Sequence, residues 1–365
     1  MVKNKYHYWK TLTHEQINER VKTALKMNMD FQQSELLGVP ASKLDTKVFY
    51  HDAPFLKDAP FLNALVKNPN HIGCHTLGNS ESFFEGTQEI ERDLISICAT
   101  DILKAEPDSC DGYVAAGGTE ANIQAIWTYR NYFQNRFGAK LHEICIVTSE
   151  DAHYSMPKAA NLLNLDIELI PVEENSRKMD LEVIRQQISS SVSSGKKYFI
   201  VVSNMMTTMF GSVDDPHDYI SVLKDLGCEF KLHVDGAYGG FLYPFMNKNT
   251  KVCFQDPDIS SVTLDAHKLV QAPYGTGILI IRKGLMENVY TRSAQYVKGL
   301  DVTLSGSRSG ANAIAVWMIL STYGPHGWYE KNQLLLMRTK MLCDHLDEMK
   351  VAYYRNPHSN IVTIK

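Results

Sequence analysis

Apolar residues along this chain follow two periodicities, and the switches between them outline the fold. From about residue 110 to 283, short runs rich in valine, isoleucine and leucine alternate with segments whose apolar positions recur every three to four residues. YVAA precedes a helical pattern through AIWTYRNYF, EICIVTS precedes PKAANLLNL, and IELIPV precedes LEVIRQQI. The rhythm continues with YFIVVSN, the helical DYISVLKDLG, then FKLHVDG, SSVTLDA and GTGILIIRK. Strand-like runs in this alternation predict an α/β fold with a mainly parallel seven-stranded central sheet.

The flanks differ. A helix is expected from about Thr13 to Met27, followed by proline-bearing loops and the helix-periodic TQEIERDLISICATDIL. After Ser309 the pattern predicts two helices, ANAIAVWMILSTYG and YEKNQLLLMRTKMLCDHLDEM, then two strand-like ends, VAYYRN and NIVTIK. The chain thus divides into an N-terminal arm and helix at 1–70, a large domain at 71–310 and a small α+β lobe at 311–365 that reads as incomplete. No internal repeat and no Gly/Ser/Pro-rich linker intervenes, so the lobes are expected to share one core.

Composition narrows the class. With 44% hydrophobic and 21% charged residues the chain reads as globular rather than disordered. A formal net charge of -4, without a basic stripe interleaved with aromatics, argues against a nucleic-acid partner and for small-molecule chemistry. No apolar run is long enough to span a bilayer and the N-terminus lacks an apolar leader, so a cytoplasmic protein without a membrane partner is expected. The 7 cysteines are scattered without a CxxC pair, which predicts neither disulfides nor a zinc site. His71, Cys74 and His75 lie close together, but their spacing matches no common metal site, and no metal is expected.

Three segments carry candidate chemistry. In AAGGTEAN, residues 115–122, a strand ends in two glycines and a helix begins, which would aim free N–H groups at an anion. Gly118 permits close approach, and Thr119 is able to cap the helix or donate to a phosphate oxygen; alone, the segment reads more readily as a simple helix cap. LHVDGAYGGF sets Asp235 at the end of an apolar strand, either as a turn-capping carboxylate or as the anionic partner of a heteroaromatic ring nitrogen. In SSVTLDAHKLVQAPYGTGILIIRK, Lys268 follows another strand, and in a closed cleft its amine would become a nucleophile; an isolated lysine is ordinarily a solvated charge. The weight lies in the combination. A phosphate cradle, a carboxylate and an amine at successive strand ends match the needs of pyridoxal 5′-phosphate, PLP.

With those motifs in order, the chain resembles the group II PLP-dependent decarboxylases of fold type I, nearest the archaeal tyrosine/aspartate decarboxylase and sphingosine-phosphate lyase branch, over roughly residues 70 to 320. The resemblance implies that Lys268 carries PLP as a Schiff base, that Asp235 pairs with the ring nitrogen and that Ala237 touches one ring face. His153, in the H-x-S-x-x-K signature with Ser155 and Lys158, would stack on the other face near the substrate carboxylate. Gly118 and Thr119 would bind the phosphate, with His267 beside it or the ring, and Thr207 would sit near the cofactor hydroxyl. LSGSRSG resembles the segment through which one subunit reaches its neighbour's phosphate, so Gly306 and Ser307 imply a homodimer with shared sites. His75, Asn79 and Phe83, in HIGCHTLGNSESFFEG, together with Tyr296, are candidates to line the substrate.

The implied reaction is decarboxylation of an L-amino acid to its amine. A carbon–carbon lyase of the sphingosine-phosphate type and a decarboxylating oxidase that yields an aldehyde are the alternatives. The proton donor stays open among His153, Lys268 and Tyr296. Met205, Met206, Phe210 and Tyr274 suggest an apolar wall without naming the side chain that meets it.

Overall fold

A computed structural model describes residues 6–30, 41–42, 44–50, 52–78, 82–248, 250–291 and 301–365. Two expected substrate residues, Asn79 and Tyr296, lie outside this set.

The chain opens with α1 (His14–Met27), whose Thr13 and Gln16 close a reciprocal capping box, then α2 (Pro60–Lys67) and α3 (Glu85–Ser96). There follow β1 (Cys110–Ala115), α4 (Gly118–Phe137), β2 (Ile144–Ser149), α5 (Ser155–Leu163), β3 (Asp166–Ile170), α6 (Leu181–Ser193), β4 (Tyr198–Asn204) and α7 (Pro216–Asp225). The remainder comprises β5 (Glu229–Asp235), a one-turn α8 (Tyr243–Met246), β6 (Ile259–Asp265), β7 (Gly277–Arg282), α9 (Gly310–Glu348), β8 (Tyr353–Tyr354) and β9 (Thr363–Ile364).

All seven expected strands form one sheet in the order β1-β7-β6-β5-β4-β2-β3. Only β7 runs antiparallel to its neighbours, and the rest are parallel. The unbroken apolar runs are explained by burial on both faces. Ile144, Ile146, Ile200 and Val202 point to a layer with Ala121, Ile126, Tyr129 and Phe133 of α4. Cys145, Val147, Phe199 and Val201 point to the opposite layer with α1, α3, α6, α7 and α9.

The two helices expected after Ser309 form one run, α9, broken at Gly324, which adopts φ 60° just before Pro325. The N-terminal strap lies along it: Trp9 Nε1 donates to Leu320 O at 2.7 Å, while the backbone N–H groups of His7, Tyr8 and Trp9 all donate to the Asp101 carboxylate. The strand-like ends of the chain pair as the antiparallel β8 and β9. Among the described residues, no helix is long and apolar enough to cross a membrane.

Topology sets one edge of the sheet apart. The parallel strands end there at Ala115, Asn204, Asp235 and Asp265, and β7 begins there at Gly277, opposite both Ala115 and Asp265. Gly277 allows the turn before α4 to close on the sheet, since a Cβ at this position would run into the Gly117 backbone. Gly277→Ala is therefore expected to lower stability by about 1–3 kcal/mol, measured by urea denaturation. A variant as stable as the parent would show that the turn is free to move.

Candidate active site

Strand ends and helix starts at this edge bring the sequence-derived residues together in stages. The central cavity, of ≈ 530 Å³, is lined by Gly118, Thr119, Asn122, His153, Ala237, Asp265, His267 and Lys268, with Leu304 and Ser305 at its rim. A smaller cavity adjoins it, lined by His153, Thr207, Asp235, Ala237 and Lys268 together with Asn204 and Met206. Eight of the expected cofactor residues thus face two cavities that share His153, Ala237 and Lys268.

The α4 N-terminus meets the end of β6 here. Gly118 N–H donates to Asp265 Oδ2 at 3.1 Å, and Lys268 Nζ lies 4.0 Å from the same oxygen. His267 Nδ1 stands 2.7 Å from the other Asp265 oxygen. Burial pushes the Asp265 carboxyl up, against the pull of His267 and Lys268. Sequence reasoning missed this aspartate, although it opens the DAHK motif. Lys268 keeps 29% of its side chain exposed, toward the cavity that a small molecule would enter.

Asp235, only 8% exposed, is satisfied by two donors: Ala237 N–H to Oδ1 at 3.1 Å and Asn122 Nδ2 to Oδ2 at 2.8 Å. His153 packs on Tyr154 with ring centroids 4.0 Å apart, and its Nδ1 lies 2.9 Å from Ser155 Oγ. Burial lowers its pKa, Asp235 raises it and Lys268 lowers it again, with the net shift downward. Thr207 is buried against Ser212, Oγ to Oγ 2.7 Å. Lys158, of the same signature as His153, sits with Nζ 5.0 Å from the Tyr154 ring centre.

Other expected residues lie apart. Gly306 and Ser307 do not line either cavity; Ser307 Oγ accepts from Asn70 Nδ2 at 3.1 Å. Phe83 is half-buried, and its carbonyl accepts from Met29 N–H. His75 borders a different cleft of ≈ 670 Å³ beside α3. Of the suggested apolar wall, Met206 reaches the smaller cavity, while Tyr274 is 86% exposed and Phe210 lies under the Arg177 guanidinium.

Cys74 donates to Gly112 O rather than joining the two histidines expected beside it. His71 and His75 instead converge on Glu91, and the three ligand atoms lie within 4.8 Å of one another. His71 spends both ring nitrogens on Glu91 and Thr87, and Arg308 Nη1 binds the second Glu91 oxygen at 2.7 Å. Arg308 also donates to Val114 O and Gly73 O, which ties the 304–310 segment to β1 and α3. Removing one partner of so buried a pair strands the other's charge. Arg308→Met is expected to cost about 3–5 kcal/mol, and adding Glu91→Leu to restore part of it, as read by denaturant midpoints. A single-variant loss below about 1 kcal/mol would mark the pair as an ordinary surface-strength contact.

The donor set fits PLP. The start of α4 lines the larger cavity, where a phosphate would meet a helix N-terminus, the doubly held Asp235 lines the small cavity adjoining it, and the Lys268 amine borders both. Comparison with known proteins agrees. Tryptophan decarboxylase of Clostridium sporogenes is 49% identical over 358 residues, 98% of this chain and 86% of that protein. The "Probable L-tyrosine/L-aspartate decarboxylase" of Methanocella arvoryzae is 30% identical over 85% of this chain and 81% of its own length. Among solved structures, L-methionine decarboxylase from Streptomyces sp. 590 superposes with a TM-score of 0.68 at 19% identity, covering 96% of this chain and 83% of that one. A sphingosine-1-phosphate lyase of Burkholderia pseudomallei gives 0.65 at 20% identity, over 75% and 63%. These two likenesses establish the shared fold. Residues 90–357 match the pyridoxal-dependent decarboxylase conserved domain, well over half of the chain. The chain belongs to the pyridoxal-dependent decarboxylase family, enzymes that use PLP to remove carbon dioxide from an amino acid.

Proposed function

We propose that this enzyme decarboxylates an aromatic L-amino acid, with L-tryptophan the first substrate to test, and that Lys268, Asp235 and His153 carry the reaction. The observation that carries the assignment of residues is the convergence of these three side chains on the two adjoining cavities at the strand ends. The choice of tryptophan is supported by the 49% identity to a tryptophan decarboxylase.

In this reading Gly118 and Thr119 hold the cofactor phosphate with His267 beside it, and Asp235 faces the ring nitrogen. Ala237 and His153 would pack against the ring, Thr207 would lie near its hydroxyl, and Lys268 would form the covalent link. PLP so bound supplies an electron sink for the carbon that loses carbon dioxide. Asp235, already held as an acceptor by two N–H groups, would face a protonated ring nitrogen. His153 and Lys268 face both cavities and are the described residues placed to return a proton to the substrate carbon.

Gly306 and Ser307 serve the neighbour's phosphate in a homodimer; support comes from the open space around Gly306 and from the way Arg308 anchors that segment. The division into an arm at 1–70, a large domain at 71–310 and a small lobe at 311–365 is part of the same reading. A cytoplasmic location is supported by the seven free cysteines.

Incubation of the PLP-loaded protein with L-tryptophan, L-tyrosine, L-aspartate, L-histidine and L-methionine, followed by mass spectrometry, is expected to yield tryptamine as the leading product. Lys268→Ala should reduce it by about a thousandfold or more. Absence of any amine contradicts the reading, and an aldehyde in place of the amine would favour the oxidase.

A further inference from the structure

Beneath the cavities lies a buried polar chain whose direction is fixed from both ends. It begins at Tyr129, whose phenol burial keeps protonated and whose O–H donates to Ser261 Oγ. Ser261 Oγ lies 2.6 Å from His233 Nδ1, and His233 Nε2 lies 3.0 Å from Asn122 Oδ1, with Thr263 Oγ1 at 3.2 Å from the same nitrogen. Tyr129, Ser261 and His233 are 0% exposed and Asn122 is 1% exposed, so every one of these groups depends on its protein partners.

Burial pushes the His233 pKa down to about 4, so the imidazole is neutral and holds one proton. Ser261 receives from Tyr129 and has its own proton to give to Nδ1. The His233 proton therefore sits on Nε2 and points at the Asn122 carbonyl.

The far end imposes the same sense. Asn122 Nδ2 stands 2.8 Å from Asp235 Oδ2 and 2.9 Å from Ser155 Oγ. A flipped amide would set its oxygen against the carboxylate, where no proton separates them. Both amide hydrogens are then committed, one to Asp235 and one to Ser155. Ser155, having accepted, directs its hydroxyl proton to His153 Nδ1 at 2.9 Å, and its backbone N–H approaches the same nitrogen at 3.2 Å. With two donors on Nδ1, the His153 proton resides on Nε2.

We propose that Asn122 is a positioning residue for the reaction: one side-chain amide holds Asp235 as an acceptor-only carboxylate and, through Ser155, holds His153 in the Nε2–H tautomer. The two residues that take opposite parts around the cofactor are thereby locked by a single group, and neither is free to change its hydrogen-bonding state alone. The inference rests on the reading of Asp235 and His153 given above. Asn122 itself acts through them.

The test begins with the unaltered protein. Histidine labelled with ¹⁵N, in the protein without PLP, reports each ring's tautomer, and His153 is assigned by the signal lost in His153→Gln. The inference requires the Nε2–H pattern at neutral pH; an Nδ1–H pattern overturns it without any variant having to fold. Asn122→Ala and Asn122→Ser, with helical circular dichroism retained, should shift the His153 signals toward mixed tautomers. They should also raise the PLP dissociation constant about tenfold, the scale of one lost charge-assisted hydrogen bond. Unchanged tautomer and PLP affinity within about twofold in both variants would overturn the proposal. Asp235→Asn separates the two levels. If it loses PLP affinity while the Asn122 variants do not, only the role of Asn122 fails; if it binds PLP like the parent, the reading of Asp235 fails and takes this inference with it.

Discussion

A carboxylate held almost out of water at the end of a strand is the constraint around which this structure is arranged. Asp235 is 8% exposed, and charge in such a place requires donors. One comes from its own chain, where the tight turn after β5 brings Ala237 N–H back to Oδ1. The other comes from α4, which must approach the sheet closely enough for Asn122 to reach Oδ2. That approach depends on the absence of a side chain at Gly277, where the start of β7 presses on the Gly117 backbone of the α4 turn. The same approach brings Gly118 N–H onto Asp265 Oδ2 at the cavity wall, so the α4 start and the Asp235 carboxylate are placed by one packing contact.

Much of this was legible in the chain. Seven short apolar runs bounded by turn residues read as strands, and each became a strand of the central sheet, with inner strands such as β2 and β4 buried on both faces and the edge strand β3 largely exposed or half-buried. The helix break at Gly324 was visible as the glycine-proline pair that separates two periodic segments. Lys268, Asp235 and the Gly118 turn stood out together because charged or flexible residues ended apolar runs in a fixed order, whereas His153 was legible only through the resemblance to a known family.

What the sequence concealed were partners drawn from distant elements. Asn122 looks like an ordinary polar residue inside a helix, and His233 like an interruption of an apolar strand; only the juxtaposition of α4, β5 and β6 joins them across more than a hundred residues. Asp265 was overlooked beside the louder His-Lys pair that follows it. The closeness of His71 and His75 was visible, but Glu91 lies 20 positions from His71 and Arg308 a further 217 from Glu91, and only folding joins them into a buried ionic knot. That knot fixes the segment containing Gly306 and Ser307, neither of which lines the two cavities.

The central claim is that Lys268 is the residue that carries the cofactor, and its most direct measurement is covalent. The PLP-loaded protein would be reduced with borohydride, digested and mapped by mass spectrometry. The account predicts a single pyridoxyl group on the peptide that contains Lys268. A label on Lys158, on another lysine, or on none would contradict it.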